Sequence, residues 1–222
     1  VDASIGGKTG INVPLPNGGL GKNLAGAFWP AELVLCDIET LGTLKDREFR
    51  CGLAECVKHA VIDGPQSFTQ LQDDMDSILA RDPEILEELV ARSIAIKCSI
   101  VAEDPRESGK RALLNLGHTF AHALESRREL GLLHGEAVSL GLMAACAASR
   151  ELGMAGDDLG ESIHGLLIQA GLPVVLDRSV PADSLRSAMG MDKKASAGRT
   201  HLVLPRAIGK VELVMDPGEG AI

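Results

Sequence analysis

Tyrosine is absent from these 222 residues and tryptophan occurs once, so that aromatics make up only 2% of the chain. Stacking platforms for nucleic-acid bases are excluded by that scarcity, and the core has to be assembled from Leu, Ile, Val, Ala and Met. Excess positive charge is lacking too: 22 Lys and Arg stand against 31 Asp and Glu, a formal net charge of -9. No basic footprint exists for nucleic acid or for an anionic membrane, and any anionic ligand must be held by a local group of cations. The longest apolar stretch, around Ala137 to Ala148, is too short and too rich in Ala to span a bilayer. The five cysteines, Cys36, Cys51, Cys56, Cys98 and Cys146, are odd in number, scattered and without a CxxC pair. They read as reduced thiols of a soluble, cytoplasmic protein. There is no signal peptide and no initiator Met before Val1, and the chain reads as a fragment of a longer protein.

What is present is ample apolar material, 45% of the residues, enough for a core. Residues 1–30 are rich in Gly, Pro and Asn, which predicts loop rather than element interior. Leu33 to Asp37 reads as one short buried strand; because a lone strand cannot satisfy its own hydrogen bonds, its partners are expected upstream. Apolar spacing of three and four then predicts helices over 46–62, 66–80, 83–101, 113–126, 134–152, 157–170 and 183–191. Thr200 to Leu204 and Lys210 to Val214 flank a turn at 205–209, as in a hairpin. The run Asp73, Asp74, Asp76 is a solvated helix face. The expected body is mainly α.

On the helix from Leu113, the residues Asn115, His118, His122 and Glu125 share one stripe and Leu113, Leu116, Phe120 and Leu124 another. Asn and His gain nothing on a solvated helix face, where Lys and Glu are the better formers. From spacing alone, His118 and His122 at i, i+4 could hold a metal; no Glu follows the first His, so this is not a metalloprotease motif. His134, opening the next helix, competes for the same partnership, and spacing does not choose. Glu55, Lys58 and His59 lie side by side on their helix, where the plain reading is an i, i+3 salt bridge. Lys97 interrupts the apolar stripe Leu86, Val90, Ile94, Val101; either it snorkels to solvent or an anion pairs with it. Arg111 could fork onto a carboxylate or phosphate, or cap a solvated turn. The Ser4 to Thr9 segment lacks the Gly that a Walker loop needs six residues before its Lys, yet Gly6 and Gly7 allow a ligand close to the backbone, with Lys8 as a point charge.

Taken in order, Asp2 to Gly10, Gly21 to Phe28, Gly52 to Glu55, Leu114 to Phe120 and Leu133 to Val138 together resemble the 3-dehydroquinate synthase family, and the likeness extends to Asp192-Lys193-Lys194 and to Leu204 through Lys210. The resemblance implies a two-domain protein, with a remnant of the N-terminal α/β NAD-binding domain and a substrate loop in residues 1–44 and a helical metal- and substrate-binding domain in 45–222 that carries a short hairpin. It implies Glu55, His118 and His134 as ligands of Zn2+ or Co2+, with His122 turned to the substrate. It implies catalytic roles for Lys58, Lys97, Asn115 and His122, substrate contacts from Asp2, Lys8, Asn23, Arg111, Lys193 and Lys194, and NAD contacts from Lys8 and Lys22. The implied reaction converts 3-deoxy-arabino-heptulosonate 7-phosphate into 3-dehydroquinate and phosphate, in the shikimate route to aromatic amino acids. NAD+ takes a hydride and returns it, and the metal acts as a Lewis acid. A homodimer is implied for the full-length protein, with no nucleic-acid or membrane partner.

Two departures qualify the likeness. Pro16 to Leu20 reads as an insertion of roughly five residues, a length change that loops tolerate. The Gly-rich nucleotide-binding segments of the family have no counterpart here, so this chain alone is expected to bind NAD+ poorly and not to turn over, while retaining metal. Other sugar phosphate cyclases, of valiolone or inosose type, are the nearest alternatives, and Lys97, Asn115 and His122 favour the dehydroquinate type. A related iron-dependent dehydrogenase would carry Asp in place of Glu55. A helical metal-binding module without catalysis is the alternative from another class.

Overall fold

The computed structural model describes residues 2–14, 20–107, 109–177, 180–195 and 201–218, without the side chains of Asp2, Asn12, 20–23, Ser187 and 190–195. Residues 16–19 of the insertion read at Pro16 to Leu20, and the side chains of Leu20, Asp2, Lys22, Asn23, Lys193 and Lys194, therefore lie outside the described residues.

The described part of residues 1–30 is not the loop that its Gly and Pro content suggests. Strands β1 (Lys8–Pro14) and β2 (Leu20–Phe28) pair antiparallel from Lys8 opposite Phe28 to Pro14 opposite Leu20. Gly26 explains why glycine suits this ladder: a Cβ there would run into the Thr9 carbonyl on the facing strand. The strand expected at Leu33 to Asp37 does not form. That segment has no ladder partner among the described residues, and Leu33 and Leu35 are 74% and 84% exposed.

The body is helical, as expected: α1 (Asp46–Asp63), α2 (Pro65–Asp73), α3 (Met75–Leu79), α4 (Pro83–Glu103), α5 (His118–Glu125), α6 (His134–Glu151), α7 (Asp157–Gln169) and α8 (Ala182–Ala195). α4 starts where its chemistry says it should, with Pro83 at the first position and the Asp82 carboxylate accepting from the backbone of Glu84 and Ile85. Two expected helices are broken. The one over 66–80 divides at Asp74 into α2 and α3. The one over 113–126 becomes a 3-10 turn, Lys110–Asn115, and then α5, because Gly117 between them adopts φ +76, outside the helical region.

α6 packs against α1, α5, α7 and the strand β3 (His201–Ala207), which pairs antiparallel with β4 (Lys210–Met215) around a tight turn at Ile208-Gly209. The Gly209 amide donates to the Val61 carbonyl and so fastens this hairpin to α1. The main core draws on Val57, Leu116, Val138, Leu142, Ile163, Leu166 and Leu204. None of the described helices is long and apolar enough to cross a membrane.

Candidate metal centre

Three elements converge to place the polar residues. Glu55 lies mid-way along α1, His118 opens α5 and His134 opens α6. One ligand atom from each lies within 4.8 Å of the others. His118 Nε2 stands 3.4 Å and His134 Nε2 3.2 Å from the same oxygen, Glu55 Oε1. Ligand atoms around a tetrahedral zinc with bonds of ~2.0–2.1 Å are ~3.3 Å apart, so this donor set fits such an ion.

Each imidazole is held by its other nitrogen. The Leu116 carbonyl, 3.1 Å from His118 Nδ1, can only accept a hydrogen bond, which puts that proton on Nδ1. His134 Nδ1 faces Glu125 Oε1 at 3.2 Å. Without a metal, the Glu125 and Glu55 carboxylates on either side of His134 push its pKa up to about 9, against a smaller opposing effect of burial. Burial alone would raise the Glu55 carboxyl, but Lys58, His118 and His134 outweigh it and hold Glu55 well below the usual range.

Glycines bring the ligand-bearing helices this close. A Cβ on Gly135, beside His134, would strike the backbone of Cys51 on α1, one turn before Glu55. A Cβ on Gly117, beside His118, would come within 2.9 Å of Leu142 N on α6, and one on Gly141 would strike the Gly117 carbonyl. The start of α6 is secured by a fork: Arg47 Nε and Nη2 donate to the two oxygens of Glu136 at 2.6 and 2.7 Å, while Glu136 Oε2 accepts from Leu133 N at 2.8 Å. Arg47 also reaches the Gly131 carbonyl, bracing the turn before His134.

The plain i, i+3 pair read at Glu55 does exist, but not on a surface helix: Lys58 is 1% exposed and ion-paired with Glu55. His122 stands apart from the triad, edge-on to His118 with ring centroids 5.6 Å apart. Lys97 is buried, not snorkelled, and the buried stripe of α4 runs through Leu86, Leu89, Ser93, Ile96 and Ile100 rather than through the half-buried Val90 and Ile94. Arg111 is no cap on a solvated turn. It is buried, its guanidinium donating to the carbonyls of Pro105 and Gly6 at 2.6 Å each and lying 5.7 Å from the centroid of Phe28. In this state its fork joins the hairpin to the helical body. Asn115 sits before the Gly117 break rather than on α5, and its Nδ2 donates to Glu107 Oε1 at 2.8 Å.

The sequence marks neither Glu107 nor a partner for Glu125. Glu107 ion-pairs with Lys8 as well as bonding Asn115, and holds φ +59, unusual for a residue with a side chain. No signal in the sequence marks it. Glu125 was on the polar stripe, but nothing there assigned it a partner. A cavity of about 370 Å³ reaches Glu55 and His134, walled largely by apolar side chains such as Phe49, Leu53, Leu86 and Leu89.

Residues 52–195 match the family described as 3-dehydroquinate synthase C-terminal, and residues 1–51 that described as 3-dehydroquinate synthase N-terminal. The chain is 45% identical over its whole length to the 3-dehydroquinate synthase of Xanthomonas campestris pv. campestris strain 8004, of which it covers 60%. It is 44% identical over 97% of its length to that of Nitrosospira multiformis, covering 58%. Among solved structures, 2-epi-5-epi-valiolone synthase from Streptomyces hygroscopicus subsp. jinggangensis 5008, with NAD+ and Zn2+ bound, superposes with a TM-score of 0.84 at 28% identity, over 96% of this chain and 58% of that one. A 2-deoxy-scyllo-inosose synthase complexed with carbaglucose-6-phosphate, NAD+ and Co2+ gives 0.84 at 25% identity, over 96% and 60%. The chain thus spans about 60% of the length of the curated relatives it matches, and it belongs to the 3-dehydroquinate synthase family.

Proposed function

We propose that this chain is the metal- and substrate-binding part of a 3-dehydroquinate synthase, which converts 3-deoxy-arabino-heptulosonate 7-phosphate into 3-dehydroquinate and phosphate. The observation that carries the reading is the convergence of Glu55, His118 and His134 from three helices in a chain of this family. Glu55, His118 and His134 would hold Zn2+ or Co2+, and the ion, when bound, supplies Lewis acidity at a substrate oxygen. NAD+ supplies reversible hydride acceptance, and it is bound in both of the structural relatives named above.

The remaining work falls to side chains. Lys58, ion-paired with Glu55 and sealed from water, keeps that carboxylate ionised and aimed. His122, beside His118 but off the triad, moves a proton at a ring nitrogen. Lys97, an ammonium withdrawn from solvent on α4, favours an anionic group near it. Lys8 and Asn115 converge on the Glu107 carboxylate, which marks a place where an anion is held; a substrate carboxylate or phosphate would take over these donors. Arg111 orders the same region through Gly6 and Pro105. A second reading, a cyclase of valiolone or inosose type, draws on the structural likenesses, but the sequence identity of 44–45% is to dehydroquinate synthases.

Phosphate release with NAD+ and Zn2+ tests the proposal, on this chain alone and on a chimera that adds the upstream segment of the Xanthomonas relative. The acidic heptulosonate phosphate is compared with neutral sugar phosphates that lack the carboxylate. Release from the acid by the chimera and not by the 222 residues alone is expected. Turnover by the chain alone would remove the need for further segments, and turnover of neutral sugar phosphates only would move the protein to another cyclase type.

A further inference from the structure

Of the three clustered residues, His134 is the one least held by packing. Its side chain is 48% exposed, against 12% for both Glu55 and His118. It stands at the first position of α6 and is not among the buried residues of that helix. Ordering such a side chain has an entropic cost, and a ligand that points the wrong way half the time weakens a metal site.

Glu125 meets this need from an unfavourable place. It is the last residue of α5, at the negative end of the helix dipole, where Lys, Arg or His would be preferred over a carboxylate. Its side chain is also only 21% exposed. Neither helix propensity nor solvation accounts for a Glu here, whereas its contact does: Oε1 lies 3.2 Å from His134 Nδ1. His118 provides the parallel, since the Leu116 carbonyl occupies its Nδ1 and leaves Nε2 toward Glu55. Both imidazoles thereby present the same nitrogen to one point.

We propose that Glu125 is a positioning residue which accepts the Nδ1–H of His134 and aims its Nε2 at the point shared by Glu55 and His118. The proposal rests on the reading of these three residues as a metal site. Partners of this kind orient the ring and raise its basicity, and their loss typically lowers metal affinity ~10–100-fold.

The test uses the whole chain, stripped with chelator and reloaded. Zinc affinity is measured by competition with a chromophoric chelator, and the Co2+-loaded protein by its ligand-field spectrum. Glu125→Ala should lose ~10–100-fold in zinc affinity and alter the Co2+ spectrum. Glu125→Gln, whose amide oxygen still accepts Nδ1–H, should lose less. In a His134→Ala background, Glu125→Ala should cost nothing further, which a merely structural role would not produce. An equal loss in both backgrounds, or a lowered melting temperature with zinc affinity intact, overturns the positioning role while leaving the metal site standing. Equal zinc affinity in the parent and in His134→Ala overturns the metal site itself, and this role with it.

Discussion

Cys36 and Cys98 are exposed while Cys146 is buried on α6, and this contrast can be read chemically. Burial pushes the Cys146 thiol up from the ordinary value near 9 to about 12. Only a thiolate is nucleophilic, so at pH 8 iodoacetamide should label Cys36 and Cys98 in the native chain and reach Cys146 only after denaturation. Peptide mass mapping of native and unfolded samples decides this, and native labelling of Cys146 would contradict the packing of α6. An acid whose folded pKa is raised keeps its contribution to stability below about 9 and loses it as pH climbs toward about 12. At the candidate site, metal content after single replacements separates the two histidine pairings: His134→Ala should lose zinc and His122→Ala should keep it. The reverse would favour the i, i+4 pair His118 and His122. Helical spacing left that choice open, because it puts both pairs within reach; the motif resemblance named His134, and the start of α6 brings it to Glu55. Glu107 was illegible for a similar reason, since its partners Lys8 and Asn115 are distant or beyond a turn.

At the scale of elements, the glycines beside the two histidines carry a prediction. Gly135→Ala would drive a methyl into the Cys51 backbone, and overpacking of this kind costs ~1–3 kcal/mol. Denaturant melts should show that loss, and zinc affinity should fall with it as α1 and α6 separate. Gly165 on α7 is the control, since a Cβ there meets nothing within 4 Å. Gly165→Ala should stabilise by about 0.5–1 kcal/mol and leave metal binding alone. The helices themselves were legible, because apolar spacing along α7 matches the face it buries, while α6 is buried nearly all round and carries small and apolar residues on every side. The β1–β2 hairpin was not, since Gly21 and Gly26 read as breakers although Gly26 is what lets the strands approach. The break at Gly117 was overlooked for the opposite reason: the periodicity of Asn115, His118 and His122 carries straight through it.

For the molecule as a whole, Arg111 on the Gly6 carbonyl and Lys8 on Glu107 tie the hairpin to the helical body among the described residues. Arg111→Lys removes the fork that spans Gly6 and Pro105. Limited proteolysis should then cut near residues 5–7 faster than in the parent, while the α1–α6 body resists as before. Equal cutting rates would show that other contacts hold the hairpin. A different consequence attaches to Gly117 and Gly141, which meet backbone to backbone. Apolar positions elsewhere can drift among Leu, Ile and Met at small cost, but this seam contains no side chain to exchange. A lineage released from selection for catalysis could lose His118 and still be bound to Gly117. In such descendants the glycines would outlast the ligands they once served.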